Sequence, residues 1–170
     1  IQEIEKIVIA LRSACQARYG VVITADDVVW PWLIRYAGWL RARFHVRPSG
    51  ETAFRTVFGH DYKHEIVPFL ETVKYKIPMP AHRKTKGRKW HRADASFRLG
   101  WYVGRTMESN EYLLLTVDGA QRGRTIRGKP EDARADAKLL GEVKGLPWAW
   151  ESGVHRPLAV QAPVPVVVES

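Results

Sequence analysis

Sulfur is almost absent from this chain. Its 170 residues hold one cysteine, Cys15, and two methionines. One thiol makes no internal disulfide and no Cys-rich zinc site, and suits a reducing compartment. No apolar run approaches the ~20 residues that span a bilayer, so no membrane partner is expected. The catalytic signatures G-x-S-x-G, the P-loop and G-x-G-x-x-G are missing, and no internal repeat is visible. No nucleophile has a paired base, so the sequence holds no self-contained active site. The chain opens at Ile1 inside a helical pattern rather than at a Met, which reads as a piece of something longer.

What is present is a globular composition with a basic surplus. Hydrophobic residues make up 45% and charged residues 26%, with seven Trp and a net charge of +9. A disordered chain lacks that apolar content. The charge favours a polyanionic partner.

Periodicity gives the elements. Ile4, Ile7, Val8, Leu11 and Cys15 form one helical stripe over 2–19, with Gly20 as its stop. Thr24 and Asp27 read as a capping box for a second helix, in which Pro31 either opens a fresh segment or kinks a continuous one. That helix is apolar through Leu40, then basic, with Arg35, Arg41, Arg43 and Arg47. A short helix follows around Thr52–Phe58, stopped by Gly59.

Thereafter the pattern turns to β. Phe69, Val73, Tyr75 and Ile77 begin the first strand, and Pro78-Met79-Pro80 breaks it. Strands are expected at 97–103, bounded by Gly104, at 111–117 and at 120–127, with Asp118-Gly119 turning a hairpin between the last two. Strands this short fit a small barrel or a strongly twisted sheet. Pro130-Glu131-Asp132 opens a polar helix to about Val143. Trp148 and Trp150 are expected to fold back onto the sheet, and the tail from Gly153 to be poorly ordered. The expected divisions are 1–66, 67–128, 129–152 and 153–170, and the fold class is α+β.

Cations concentrate in one stretch. From Pro78 to Lys129 there are twelve Lys and Arg against four acids, a surplus of +8. Six of them, Arg83, Lys84, Lys86, Arg88, Lys89 and Arg92, sit in a run with no acid, read as a long exposed loop; Arg122 and Arg124 lie on the β module. These eight are the candidate nucleic-acid contacts, each a phosphate partner for DNA or RNA. Trp90 lies in the run and reads as a packing residue.

Other constellations carry less. His60 and His64 have metal-binding helical spacing, but no third ligand is near. Asp26 and Asp27 read as caps. No catalytic or metal-binding residue is assigned, and no cofactor is expected. Tyr75, Trp101 and Tyr102 are the aromatics through which the β module would bind a peptide instead.

Trp32-Leu33-Ile34-Arg35-Tyr36-Ala37, then Thr52-Ala53-Phe54-Arg55 and Gly59-His60-Asp61-Tyr62-Lys63, resemble the end of a copia-type retrotransposon integrase core. The common family form is W-L-V-R-H-A, then T-P-Y-E-R, then G-x-x-Y. Phe97 to Thr106, Glu108 to Tyr112, Thr116-Val117-Asp118-Gly119 and Arg124-Thr125-Ile126-Arg127 are similar to the SH3-like domain that follows that core. Pro130-Glu131 and Gly145-Leu146-Pro147-Trp148 extend the resemblance, which covers roughly residues 1–150.

The resemblance implies helices from the end of an RNase H-like core, an SH3-like barrel and a polar helix. It implies a Pol polyprotein whose integrase inserts element DNA into a host genome in the nucleus, after a cytoplasmic particle stage. A homo-oligomer through the parent integrase is also implied. Family integrases bind magnesium or manganese through two aspartates and a glutamate. Those are expected upstream of Ile1, with Glu3 as a fallback, which leaves this segment a binding part rather than a catalyst.

Overall fold

The structure, a computed structural model, describes residues 1–76, 97–128 and 143–150, and the backbone of 159–160. The fold is α+β: three helices, then a five-stranded antiparallel sheet. The candidate loop 81–92, the polar helix after Pro130 and all but two residues of the tail lie outside the described residues.

Helix α1 spans Gln2–Tyr19 and buries Val8 and Cys15, with Ile4, Ile7 and Leu11 packed beside them. It stops at Gly20, whose φ of 66° is cheap only without a Cβ, and whose N–H donates to the Gln16 carbonyl. Strand β1 (Val21–Val22) follows and pairs with β7 (Ala159–Val160).

The Thr24–Asp27 contact forms but does not start the second helix. The Asp27 carboxylate accepts from both the amide and the hydroxyl of Thr24. The chain then makes tight turns, and α2 spans Trp30–Phe44 with Pro31 in its first turn. Pro31 dictates that start. It has no N–H for the Asp27 carbonyl, which instead accepts from Trp30 at 3.0 Å. Helix α3 (Ala53–Phe58) is capped by Thr52, whose hydroxyl accepts from the Arg55 amide, and ends at Gly59.

The strands are β2 (Thr72–Lys76), β3 (Phe97–Arg105), β4 (Tyr112–Thr116), β5 (Gly119–Gly123) and β6 (Ile126–Gly128), in the order β5-β4-β3-β2-β6. Gly104 does not end β3. It carries a bulge at φ 134°, where the pairing with β4 slips, and the strand continues to Arg105. The β4–β5 hairpin forms, with Thr116 paired to Gly119 across Val117-Asp118.

The segment expected as one strand over 120–127 divides at Arg124-Thr125, and β6 joins the opposite edge of the sheet. A flat sheet would hold β5 and β6 roughly 19 Å apart, at about 4.8 Å per strand step. The chain from Gly123 to Ile126 reaches at most roughly 11 Å. The sheet must therefore curl hard. Gly123 permits it: a Cβ there would lie 3.3 Å from a Leu114 methyl and 3.4 Å from the Tyr75 Cβ. The expected barrel is not closed, because no ladder joins β5 to β6 among the described residues.

Helix α2 lies on this sheet and buries Trp32, Leu33, Tyr36, Ala37 and Trp39. The Trp32 indole donates to the Gly145 carbonyl at 2.9 Å, which straps 143–150 across the helix. The Ala120 amide donates to the Trp150 carbonyl at 2.9 Å. Only Trp150 folds back as expected. Leu146 and Ala149 exchange two hydrogen bonds, and the turn between them throws Trp148 outward, 74% exposed. Helices, sheet and strap share one buried core.

Two consequences are measurable. A methyl on Gly145 would meet the Trp150 oxygen at 2.5 Å and the Ala120 nitrogen at 2.8 Å, at a φ of 110°. Gly145→Ala should therefore cost about 1–3 kcal/mol in a urea titration. Burial also pushes the Cys15 thiol and the Tyr36 phenol each up to about 12. The unfolded chain ionises both groups near pH 9–10, before the folded chain does. Stability should hold below pH 9 and fall progressively towards pH 12, and Tyr36→Phe should flatten that fall.

Candidate nucleic-acid interface

Strand β2 shows how the sheet sorts its residues. From Val73 to Lys76 the strand alternates with a period of two, so Val73 and Tyr75 are buried and Lys74 and Lys76 are exposed; Thr72 at its start is buried as well. Lys74 pairs directly with Arg127 on β6, and with Leu99 on β3. Lys76 pairs with Phe97, and the Arg127 guanidinium lies 4.7 Å from the centre of the Phe97 ring. Three cations thus share an outer face with an aromatic ring. Like charges opposite one another across strands are destabilising. Among the described residues no acid pairs with any of the three.

The position of this face matters as much as its charge. Lys76 and Phe97 are the last pair of the β2–β3 ladder. The acid-free run with Arg83, Lys84, Lys86, Arg88, Lys89 and Arg92 leaves and returns there. Those six residues lie outside the described ones, but the chain tethers them to the Lys74–Lys76–Arg127 face.

Of the expected contacts on the β module, neither Arg122 nor Arg124 belongs to that face. Arg122 lies 4.9 Å from the centre of the Trp150 ring. Arg124 is spent on Glu111 at 3.2 Å; the Ser109 hydroxyl, then Arg124, holds that carboxyl below its ordinary range. Arg98 is 3.6 Å from Asp118. Lys74 and Lys76 lie just before the cation-rich stretch that begins at Pro78, inside a strand whose residues are otherwise uncharged. Their signal was the alternation of β2 itself.

Some sequence cations are not surface groups at all. Arg43 is 5% exposed, over the rings of Trp39, Phe54 and Tyr62 at 4.2, 5.4 and 5.2 Å. Desolvation lowers its pKa, and Nη1 donates to the Trp39 carbonyl. Arg105 is buried as well. It donates to the carbonyls of Asn110 and Glu65 and lies 4.1 Å from the centre of the Tyr112 ring. The basic end expected for α2 is therefore partly an interior feature.

The remaining candidates take structural places. Asp27 is buried and held by Thr24. Glu3 pairs with Lys6 at 3.2 Å, which lowers its pKa. His60 packs edge-on to Phe54, and His64 lies against Tyr62. No group of three His, Cys, Asp or Glu able to hold a metal occurs among the described residues, so these residues do not fit a two-metal catalytic site. Tyr75, Trp101 and Tyr102, the aromatics of the alternative peptide-binding reading, are all buried. No helix among the described residues is long and apolar enough to cross a membrane.

No family model, curated protein or solved structure matches this chain.

The unpaired outer face makes a direct prediction. Lys74→Glu converts a like-charged cross-strand pair into an opposite-charged one while leaving Arg127 on Phe97. It should raise stability by about 0.2–1 kcal/mol, read as a higher urea midpoint at low salt, with the gain shrinking as salt is added.

Proposed function

We propose that this chain binds nucleic acid through the outer face of β6, β2 and β3 and the basic run tethered to it. The carrying observation is the direct pairing of Lys74 with Arg127, beside Lys76 and Phe97, with no acidic partner among the described residues. A polyanionic backbone supplies the charge that such a face lacks. The half-buried Phe97 ring beside these cations adds an apolar edge against which a base can pack.

Within that reading, the chain is the DNA-contacting C-terminal part of a copia-type retrotransposon integrase, with DNA integration as the parent process. RNA is the alternative ligand. Three features support this parentage. The motif order resembles that family, helices precede the β unit, and the sheet is a four-strand meander, β2 to β5, followed by a fifth strand, β6, that returns to pair with β2. That strand order suits an SH3-like module. The parent's place of action would be the nucleus, and its assembly a homo-oligomer. Magnesium or manganese would belong to the parent's carboxylate triad, and the described residues do not fit that group.

Two assays test the proposal. Anisotropy titrations of labelled duplex DNA should give an affinity that falls linearly with salt on logarithmic axes. Lys74→Gln with Arg127→Gln should reduce that slope by about 2, at ~0.9 per lost phosphate contact. Salt-independent binding, or a slope the double variant leaves untouched, sinks the proposal. A strand-transfer assay with magnesium or manganese should be blank. Product formation abolished by Glu3→Gln or Asp27→Asn would make the chain a catalyst instead.

A further inference from the structure

A second basic site lies away from the β2–β6 face. A cleft of about 260 Å³ opens between α2, the 106–109 turn, β5 and the 147–150 strap. Trp32, Arg35, Thr106, Glu108, Arg122 and Trp150 are in its wall. We infer that this cleft binds a nucleotide through a terminal phosphate, either as a free mononucleotide or at the end of a strand.

Two arginines are in the wall, Arg35 half-buried and Arg122 exposed. Arg35 donates from Nη2 to the Arg105 carbonyl at 3.0 Å, and its Nη1 packs over Gly104, where a Cβ would come within 3.3 Å. Arg122 is propped on the Trp150 ring. Neither forms an ion pair at contact distance among the described residues, though Glu111 lies close enough to Arg122 to feel its charge. The one acid of the lining, Glu108, is exposed and forms no ion pair among the described residues. The wall therefore has more positive than negative charge, held in a geometry that gives up little side-chain freedom on binding.

The ligand class follows from charge, size and the neighbouring ring. A phosphate monoester carries about −1.5 to −2 at neutral pH, against −1 for a backbone diester, so two cations favour a terminal phosphate. The volume is below the ~300 Å³ usual for pockets that enclose a drug-sized ligand. The cleft takes the phosphate and sugar and leaves the base at its lip. Pro147 and Trp150 are in the wall, and Trp148 between them in the chain is the most exposed of the described tryptophans, held out by the Leu146–Ala149 turn. Its ring offers the base a stacking face with little sequence preference.

The test uses the full chain in calorimetric titrations with 5′-AMP, adenosine and inorganic phosphate. AMP should bind, with adenosine and phosphate each about tenfold weaker or worse. Arg122→Gln should weaken AMP about tenfold and Arg122→Lys should restore most of it, while Glu108→Gln should tighten it. Trp148→Ala should weaken AMP and leave inorganic phosphate unchanged. A short oligothymidylate with and without a 5′ phosphate separates the two sources. A gain from the phosphate assigns the strand end, and AMP binding without that gain assigns the free nucleotide. No AMP binding, or AMP binding indifferent to both Arg122→Gln and Glu108→Gln, overturns the inference. Lys74→Gln with Arg127→Gln should leave AMP affinity unchanged, so failure of the cleft and failure of the outer face are read separately.

Discussion

The packing of one phenol ring holds the three parts of this structure in register. Tyr36 of α2 stacks on Phe69 and on Trp39, at 5.3 and 5.6 Å between ring centres, and meets Tyr102 of β3 edge-on at 5.9 Å. Its hydroxyl donates to the Val67 carbonyl at 3.2 Å. Segment 67–71 is thereby clamped between helix and sheet. The Leu70 amide donates to Tyr102, and the Tyr102 amide donates to Glu71. Leu70 sits at φ 65°, a conformation that costs a side-chain-bearing residue about 1–3 kcal/mol. Full burial of Leu70 and its backbone bond offset that cost. Without the ring cluster, this turn would keep only its backbone bonds to Tyr102 on β3, and α2 would lose its aromatic contacts with it.

Given that core, the cations divide into two populations with different physics. Arg43 and Arg105 are interior groups, solvated by ring faces and backbone carbonyls rather than by carboxylates. Ring quadrupoles and carbonyl dipoles compensate a buried guanidinium without requiring a second desolvated charge. Lys74, Lys76 and Arg127 are the other kind. They cost stability where they stand, because they repel one another on a sheet face that could have held neutral residues. The net charge of +9 thus overstates how much of the basic surplus is free to meet a partner.

Much of this architecture was legible from the chain. The α1 stripe, both glycine stops, the short helix before Gly59 and the β4–β5 hairpin follow from local chemistry, and local chemistry decided them. The failures were non-local. Gly104 reads as a strand terminator, but the partner strand turns it into a bulge. Residues 120–127 read as one strand because nothing in their own sequence says that β5 and β6 lie on opposite edges. Trp148 and Trp150 read alike, and the Leu146–Ala149 turn separates them. The cleft at Arg35 and Arg122 is invisible in sequence, since its walls come from α2, two loops and β5.

The same non-local geometry makes the basic face. Lys74 and Arg127 lie far apart in the chain and become neighbours only because β6 pairs with β2. That pairing requires the sheet to curl through the two-residue link Arg124-Thr125, and Gly123 eases the curl, since a Cβ there would sit tightly against Leu114 and Tyr75. An uncurled sheet would keep every hydrophobic residue of β3 and β4 and still leave Arg127 across the molecule from Lys74. The charge density that favours a polyanion is therefore a property of the curl, not of composition.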